Sequence, residues 1–443
     1  MEKIKSLVLL LLVFSSVFLS AILIFYSPNS GNIALSEYLP QIHLGQNTEY
    51  QAIVRPEKII YHQGNNNHTV VRPNQYLYSV LEKDFDLWSF YDLSLEYNRI
   101  DWLETVENQP GIEVIFPSAL PQGIISSIFK LYETNINIYG VNRLWITNDL
   151  NDNVIAYFIS DERDQIYVAQ TSISNTKLIQ YTGLASKAPK YSYHLSSENE
   201  EKSKVNLMFY LPVEGIELKK IKSSFITVPL DDLKQLLFID PSIAKIYELE
   251  NGKDYLYTDG TRSLQFFSED RYISYFQPIA ENKKEVNLEN DVSLAIRYIN
   301  QHGGWDGIYQ LAEVKEVVGT KQTFLEFTKY IDGYQLKVLD NIFGSIQLQL
   351  TDGFVSSLMR STIIADKTIL SESITTLNDS ELLQYLQKKG IEEQTIENIE
   401  IQYITSINQG HLSFDPYWVV SIAGQETIEI PADGRVVQGI GLE

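Results

Sequence analysis

The sequence predicts an α+β protein: a single N-terminal transmembrane helix, a mixed α/β domain, and two related domains, each an antiparallel sheet with a packed helix. Three observations carry this reading. An uncharged run spans Ser6 to Tyr26, four Asp-Gly pairs sit between alternating apolar residues, and apolar residues recur at helical spacing in segments such as DVSLAIRYIN. The chain has 443 residues, more than one ordinary domain of about 100 to 200 residues. Its 44% hydrophobic and 21% charged content is that of a folded protein.

The apolar run SLVLLLLVFSSVFLSAILIFY, residues 6–26, makes a helix of roughly 30 Å, the thickness of a bilayer core. Lys3 and Lys5 lie before it and no Lys or Arg follows until Arg55, so residues 1–5 are expected in the cytoplasm and everything after Tyr26 outside. A cleaved signal peptide is the rival. Its apolar core is usually about 7 to 15 residues and ends in a small-residue cleavage site, whereas this run is longer and leads into Phe25, Tyr26, Ser27 and Pro28. A retained anchor is therefore the expectation. Within it Ser16 and Ser20 form a small-xxx-small pair suited to helix–helix packing. Serine bonding to its own helix backbone is the equally open alternative.

Residues 27–39 read as a polar stem and 40–183 as the N-terminal α/β domain, with helices expected around 73–88, 100–107 and 121–131 between β-rich runs such as GIEVIF and NVIAYFIS. The turn-rich stretch 184–204 reads as a linker. A middle α+β domain is expected over 205–284, with Pro229 opening the helix PLDDLKQLLF, and a C-terminal one over 285–443. The latter opens with a helix bearing Val292, Ala295, Ile296 and Ile299 on one face and capped by Asn290 or Asp291. A second helix, DSELLQYLQKKG, ends at Gly390. Asp259-Gly260, Asp332-Gly333, Asp352-Gly353 and Asp433-Gly434 each mark an expected β-hairpin, because Asp-Gly suits turns with positive φ.

Chemistry is sparse. A net charge of −22 excludes the basic patch on which nucleic-acid affinity rests. The absence of cysteine excludes disulfides, thiolate nucleophiles and Cys-ligated metals. The six histidines form no HExxH or comparable metal spacing, and no nucleophile elbow, P-loop or dinucleotide fingerprint occurs. His62 and His68 bracket an Asn-rich loop, read as a hairpin rather than a metal site. In INQHGGWDG, His302 beside Asp306 raises the question of an acid–base pair. Residue types favour a helix stop instead: Gly303 or Gly304 takes the left-handed conformation, His302 meets the last carbonyls, and Trp305 folds back as a core anchor. No catalytic residue, metal or cofactor is expected.

INQHGGWDGIYQL, LYTDGTRSLQFFSEDRYISYFQP, SFDPYWVVSIAG, PEKIIYHQG and FPSALPQGIISSIFKL, in order along nearly the whole chain, resemble the YycH family of Gram-positive bacteria. The resemblance implies a bitopic membrane protein with three extracytoplasmic domains, the middle and last similar to each other and to YycI. It implies partners as well: a YycI-like protein and the sensor histidine kinase WalK (YycG), which controls cell-wall metabolism. His302, Gly303, Gly304, Trp305 and Trp418 carry the structural motifs of the match. The chain departs at Gln301, where the family carries aspartate, and around Asp415 to Trp418. The leading reading is a non-enzymatic, membrane-anchored regulator of the kinase. A cell-surface enzyme or a ligand-binding sensor acting on wall-derived polymer fragments is the alternative; a small ligand, the oligomeric state and the sign of regulation stay open.

Overall fold

The computed structural model describes residues 42–435 apart from 98–99, 101, 133–135, 137, 150, 198–203, 205–206, 250–251, 281–285, 339–341 and 409. The expected tail at 1–5, the anchor at 6–26 with Ser16 and Ser20, and the stem at 27–39 lie outside the described residues. Among the described residues no helix is long and apolar enough to cross a membrane.

A first sheet collects β1 (Lys58–Gln63), β2 (His68–Val71), β3 (Ser89–Glu96), β4 (Pro110–Leu120), β5 (Lys130–Leu131), β6 (Val141–Asn148), β7 (Val154–Ser160), β8 (Gln165–Thr171), β9 (Tyr191–Leu195) and β10 (Met208–Pro212). Its order is β10-β9-β2-β1-β4-β6-β7-β8-β3-β5. All neighbours are antiparallel except β3 with β5. Helices α1 (Tyr50–Ile53), α2 (Tyr76–Glu82), α3 (Trp102–Asn108), α4 (Gln122–Ile128) and α5 (Asn175–Leu184) are interleaved with it. Three of them, α2, α3 and α4, fall where helices are expected. The other two, the single-turn α1 and α5, have no counterpart in the sequence reading; α5 packs on β1 and β4, burying Leu178 and Tyr181. The stretch 184–204 is not a plain linker, since β9 lies inside it and carries the first sheet on to Pro212. The alternation Tyr191, Tyr193 among polar residues is a strand signal hidden by composition.

The rest of the chain forms α6 (Leu230–Leu237), α7 (Leu288–Gln301) and α8 (Asp379–Lys388), with strands β11 (Glu217–Thr227), β12 (Lys245–Glu248), β13 (Tyr255–Thr258), β14 (Ser263–Phe267), β15 (Tyr272–Phe276), β16 (Ile308–Glu316), β17 (Gln322–Ile331), β18 (Tyr334–Gln335), β19 (Ser345–Thr351), β20 (Phe354–Ser361), β21 (Ile363–Thr375), β22 (Ile396–Asn408), β23 (His411–Ile422) and β24 (Ile428–Pro431). Two antiparallel sheets result. One runs β12-β13-β14-β15-β20-β19-β17-β16 with β18 on β17; the other runs β21-β11-β23-β22 with β24 on β23. Each carries a helix. The apolar face of α7 (Val292, Ala295, Ile296, Ile299) packs on β16, β17, β19 and β20, and Leu382 and Leu386 of α8 join Ile396, Tyr403, Trp418 and Val420 in the other core.

Both sheets cross the expected division at 284/285. Strand β11 pairs with β21 and β23, and β15 pairs with β20. The middle and last segments are thus interleaved, because alternation marks a strand without naming its neighbour. The cap of α7 is Asn287, whose Oδ1 accepts from Asn290 N at 3.0 Å, not Asn290 or Asp291. Asp291 is instead buried against Thr323. Asp332-Gly333 and Asp352-Gly353 are tight hairpin turns with φ of 51° and 85°, and of 52° and 78°, the double positive φ of a type I′ turn. Asp259 closes the β13–β14 turn by accepting from Thr261 N and Arg262 N. Asp433-Gly434 joins no two described strands; Asp433 binds Lys220 at 3.0 Å.

Candidate functional site

The sequence ends α7 at an Asn-Gln-His-Gly-Gly run, and the structure shows what that run holds. Gly304 N donates to Ile299 O at 2.8 Å, closing the helix in a left-handed stop with φ of 101° at Gly303 and 79° at Gly304. The stop leaves carbonyls facing outward, and the segment 44–48 takes them. Leu44 N and Gly45 N donate to Gly303 O at 2.8 and 2.9 Å, and Gln46 and Trp305 exchange two backbone bonds of 2.9 Å. Asn300 completes the clamp: its Oδ1 accepts from Thr48 N at 3.0 Å and Trp305 Nε1 at 2.8 Å, while its Nδ2 donates to Thr48 O at 3.0 Å.

Close approach requires the glycines. A Cβ on Gly45 would lie 1.9 Å from Trp305 O, and one on Gly304 would lie 2.9 Å from Gln46 O. Trp305 is 2% exposed and packs edge-on to Phe327. Behind it Asp306 is buried among cations: Lys329 Nζ lies at 2.5 Å, Arg360 Nη2 at 3.8 Å, and Tyr309 donates its hydroxyl at 2.8 Å. Burial pushes the Asp306 carboxyl up, and Lys329 and Arg360 outweigh it, holding the group below the usual range.

His302 and Asp306 are therefore no acid–base pair. The imidazole stacks on Tyr298 at 3.8 Å and its Nδ1 lies 2.8 Å from Tyr298 O. Burial lowers its proton affinity. It meets the helix end by donating from Nδ1 to the Tyr298 carbonyl. Gly303, Gly304 and Trp305 thus form a dock for the 44–48 segment, and His302 packs beside it on Tyr298. Trp418 belongs elsewhere: it sits on β23 opposite Ile401 and Ile430, in the core under α8.

Two polar clusters lie elsewhere: the expected hairpin of His62 and His68 is present, with buried contacts that the sequence does not reveal, and a second cluster has no counterpart in the sequence reading. His62 and His68 face each other across the β1–β2 hairpin with Nδ1 atoms 3.0 Å apart, and His62 Nε2 lies 3.5 Å from Glu113, which also meets Arg143. Burial and the neighbouring His62 push His68 down to about 3. Among the described residues no group of His, Asp and Glu could hold a metal. The second cluster joins the first sheet to α8. His194 Nδ1 lies 2.8 Å from Glu393 and Nε2 lies 3.1 Å from Asp379, to which Ser192 donates its hydroxyl. That hydroxyl points to the carboxylate, not the imidazole, so no base activates it as a nucleophile. The signal for both was a charged or aromatic-flanked histidine inside a strand, visible only once the strands are paired.

Fold and site define a class first: an α+β protein of antiparallel sheets whose 44–48 segment is pinned to a helix end. Family models place it further. Residues 2–182 match the model described as YycH protein, N-terminal domain, and residues 206–431 match YycH protein, C-terminal domain. The chain belongs to the YycH family. At that level it is an extracytoplasmic regulatory protein rather than a catalyst. The crystal structure of YycH from Bacillus subtilis is similar over 88% of this chain and 99% of that one, at 18% identity and a TM-score of 0.65, which is a likeness of fold. An uncharacterized protein from Eubacterium rectale overlaps 54% of this chain and 91% of its own at 11% identity and a TM-score of 0.34. No curated protein matches by sequence.

Proposed function

We propose that the chain is a membrane-anchored, non-enzymatic regulator of the WalK (YycG) sensor histidine kinase, acting with a YycI-like protein. The helix at 6–26 would pack against partner helices through Ser16 and Ser20, and the outer sheets would carry the second contact. The observation behind this reading is the clamp of Thr48 on Asn300 and Trp305. A segment fixed to the body at both backbone and side chain passes force from the anchor to the sheets, whereas a free stem would not. Such a regulator needs only a differential affinity for two kinase states, and about 1–3 kcal/mol shifts the balance about 5- to 150-fold.

The test is co-purification of the kinase from native membranes with the full chain, beside a version whose residues 6–26 are an unrelated transmembrane helix. Capture by the native helix alone supports recognition in the bilayer; equal capture moves it to the outer sheets. Capture by neither sinks the reading.

A ligand-sensing role has one observation in its favour. A cavity of about 40 Å³ lies between the first sheet and β22–β23, lined by residues including Lys58, Arg72, Tyr210, Tyr334, Glu400 and Trp418. The Trp418 indole N–H has no partner among the described residues. Room for about three waters means that any sugar-sized ligand has to part the two sheets. Thermal stabilisation by wall fragments, lost in W418F, would support it, and a flat response across a panel would remove it.

A further inference from the structure

Helix α6 ends beside the dock. Gly303 is flanked by Leu44 and Leu236: a Cβ placed on it would lie 2.7 Å from Leu44 Cγ and 3.3 Å from Leu236 Cδ1. Leu237 and Phe238 then turn into the core, at 6% and 4% exposure. Immediately afterwards the chain reverses. Ile239 is 84% exposed, Ile243 57%, Ile246 56% and Tyr247 50%. Asp240 caps the 3₁₀ turn Pro241–Ile243, its Oδ1 accepting from Ser242 N at 3.0 Å and Ser242 Oγ at 2.5 Å, so the turn is held in shape. Every residue of β12 is exposed, and β12 is the end strand of its sheet. Single exposed aliphatics are ordinary. Four within one short stretch, with Ile246 and Tyr247 on opposite faces of the sheet's end strand, make an exposed apolar edge that calls for a partner.

We propose that the stretch from Ile239 to Tyr247 is a membrane-facing patch that rests on the outer leaflet. It rests on the anchored reading given above. Placement argues for lipid: the patch follows the helix whose last turn, through Leu236, borders Gly303 on the same side as Leu44, where the 44–48 segment joins the body. A tether of the 18 positions from Tyr26 to Leu44 reaches at most about 60 Å extended and about 23 Å as a coil. A patch tethered that close to a bilayer meets it at millimolar effective concentration, so weak insertion is enough. Composition agrees. Three isoleucines and a tyrosine suit the interface between acyl chains and headgroups, while Asp240 and Glu248 keep the contact shallow. With Lys245 the only nearby cation in β12, the contact is apolar and insensitive to salt.

The chain has no cysteine, so single labels are free of background. The full chain is reconstituted in phosphatidylcholine vesicles with an environment-sensitive fluorophore on I239C, I243C or V318C, and quenched by lipids bearing a headgroup nitroxide. Val318 is the control: it is 97% exposed and lies beyond the nine-residue β16, which starts three residues after Trp305 and spans about 30 Å. Several-fold stronger quenching at Ile239 and Ile243 than at Val318, undiminished by salt and abolished by I246D/Y247D, is the expected result. Equal quenching at all three overturns the patch, as does shielding that appears only when a partner protein is added. Alkaline carbonate extraction reads the anchor separately. Vesicle retention without quenching removes the patch alone; loss of retention removes the anchored reading beneath it.

Discussion

Thr48 and Asn300, 252 positions apart, exchange two hydrogen bonds of 3.0 Å, and Asn300 takes a third from Trp305. One amide side chain thereby ties the segment entering the body to the end of α7. N300A leaves these partners unpaired and is expected to lower stability by about 2–3 kcal/mol, at about 1 kcal/mol per lost bond. N300D, which keeps both accepted bonds, should cost less. Urea unfolding of the two variants measures the difference, and equal losses would show that the bonds matter less than the shape.

Gly45 and Gly183 form a contrasting pair. G45A drives a Cβ to 1.9 Å from Trp305 O and should release the 44–48 segment, seen as faster amide exchange at Leu44, Gly45 and Gln46. G183A lies in α5 with nothing within 4 Å of its added Cβ. It should stabilise the protein by about 0.5–1 kcal/mol.

Among the described residues, Asp306 is the acidic partner of both buried Lys329 and buried Arg360. D306N leaves buried cations without a counter-charge, at an expected cost of about 3–5 kcal/mol. The pH dependence follows from the depressed carboxyl. Its contribution is present above the ordinary carboxylate value and is lost as pH falls through the lower folded value. Acid unfolding of D306N should therefore show a weaker dependence in that range than the parent chain.

His194 sets the opposite limb. Burial pushes the imidazole down, but hydrogen bonds to Asp379 and Glu393 outweigh it and raise it above its ordinary value of 6.5. Its contribution is full below that value and is lost as pH rises through the folded one. Asp379, depressed by His194 and Ser192 against its own burial, loses its share only in acid. The melting temperature of the parent chain should fall on going from pH 6.5 to 8.5 by more than that of H194Q. Parallel curves would show that the junction of β9 with α8 does not depend on this proton.

By itself the sequence determined what local rules control. Apolar spacing in DVSLAIRYIN placed α7, Gly303 and Gly304 marked its stop, Trp305 was legible as a core anchor, and Asp332-Gly333 and Asp352-Gly353 announced their hairpins, because each depends on residues within a few positions. The family was legible too, since short motifs in order survive without knowledge of their contacts. Tertiary structure alone decided the rest. Which strand β11 and β15 pair with, that β9 lies inside an apparent linker, that Leu44 to Thr48 seat on the end of α7, and that His194 meets Asp379 are choices among distant partners. Their free energies come from burial and hydrogen bonds made only after the chain has closed, and alternation in one strand is satisfied equally by any neighbour with a matching apolar face.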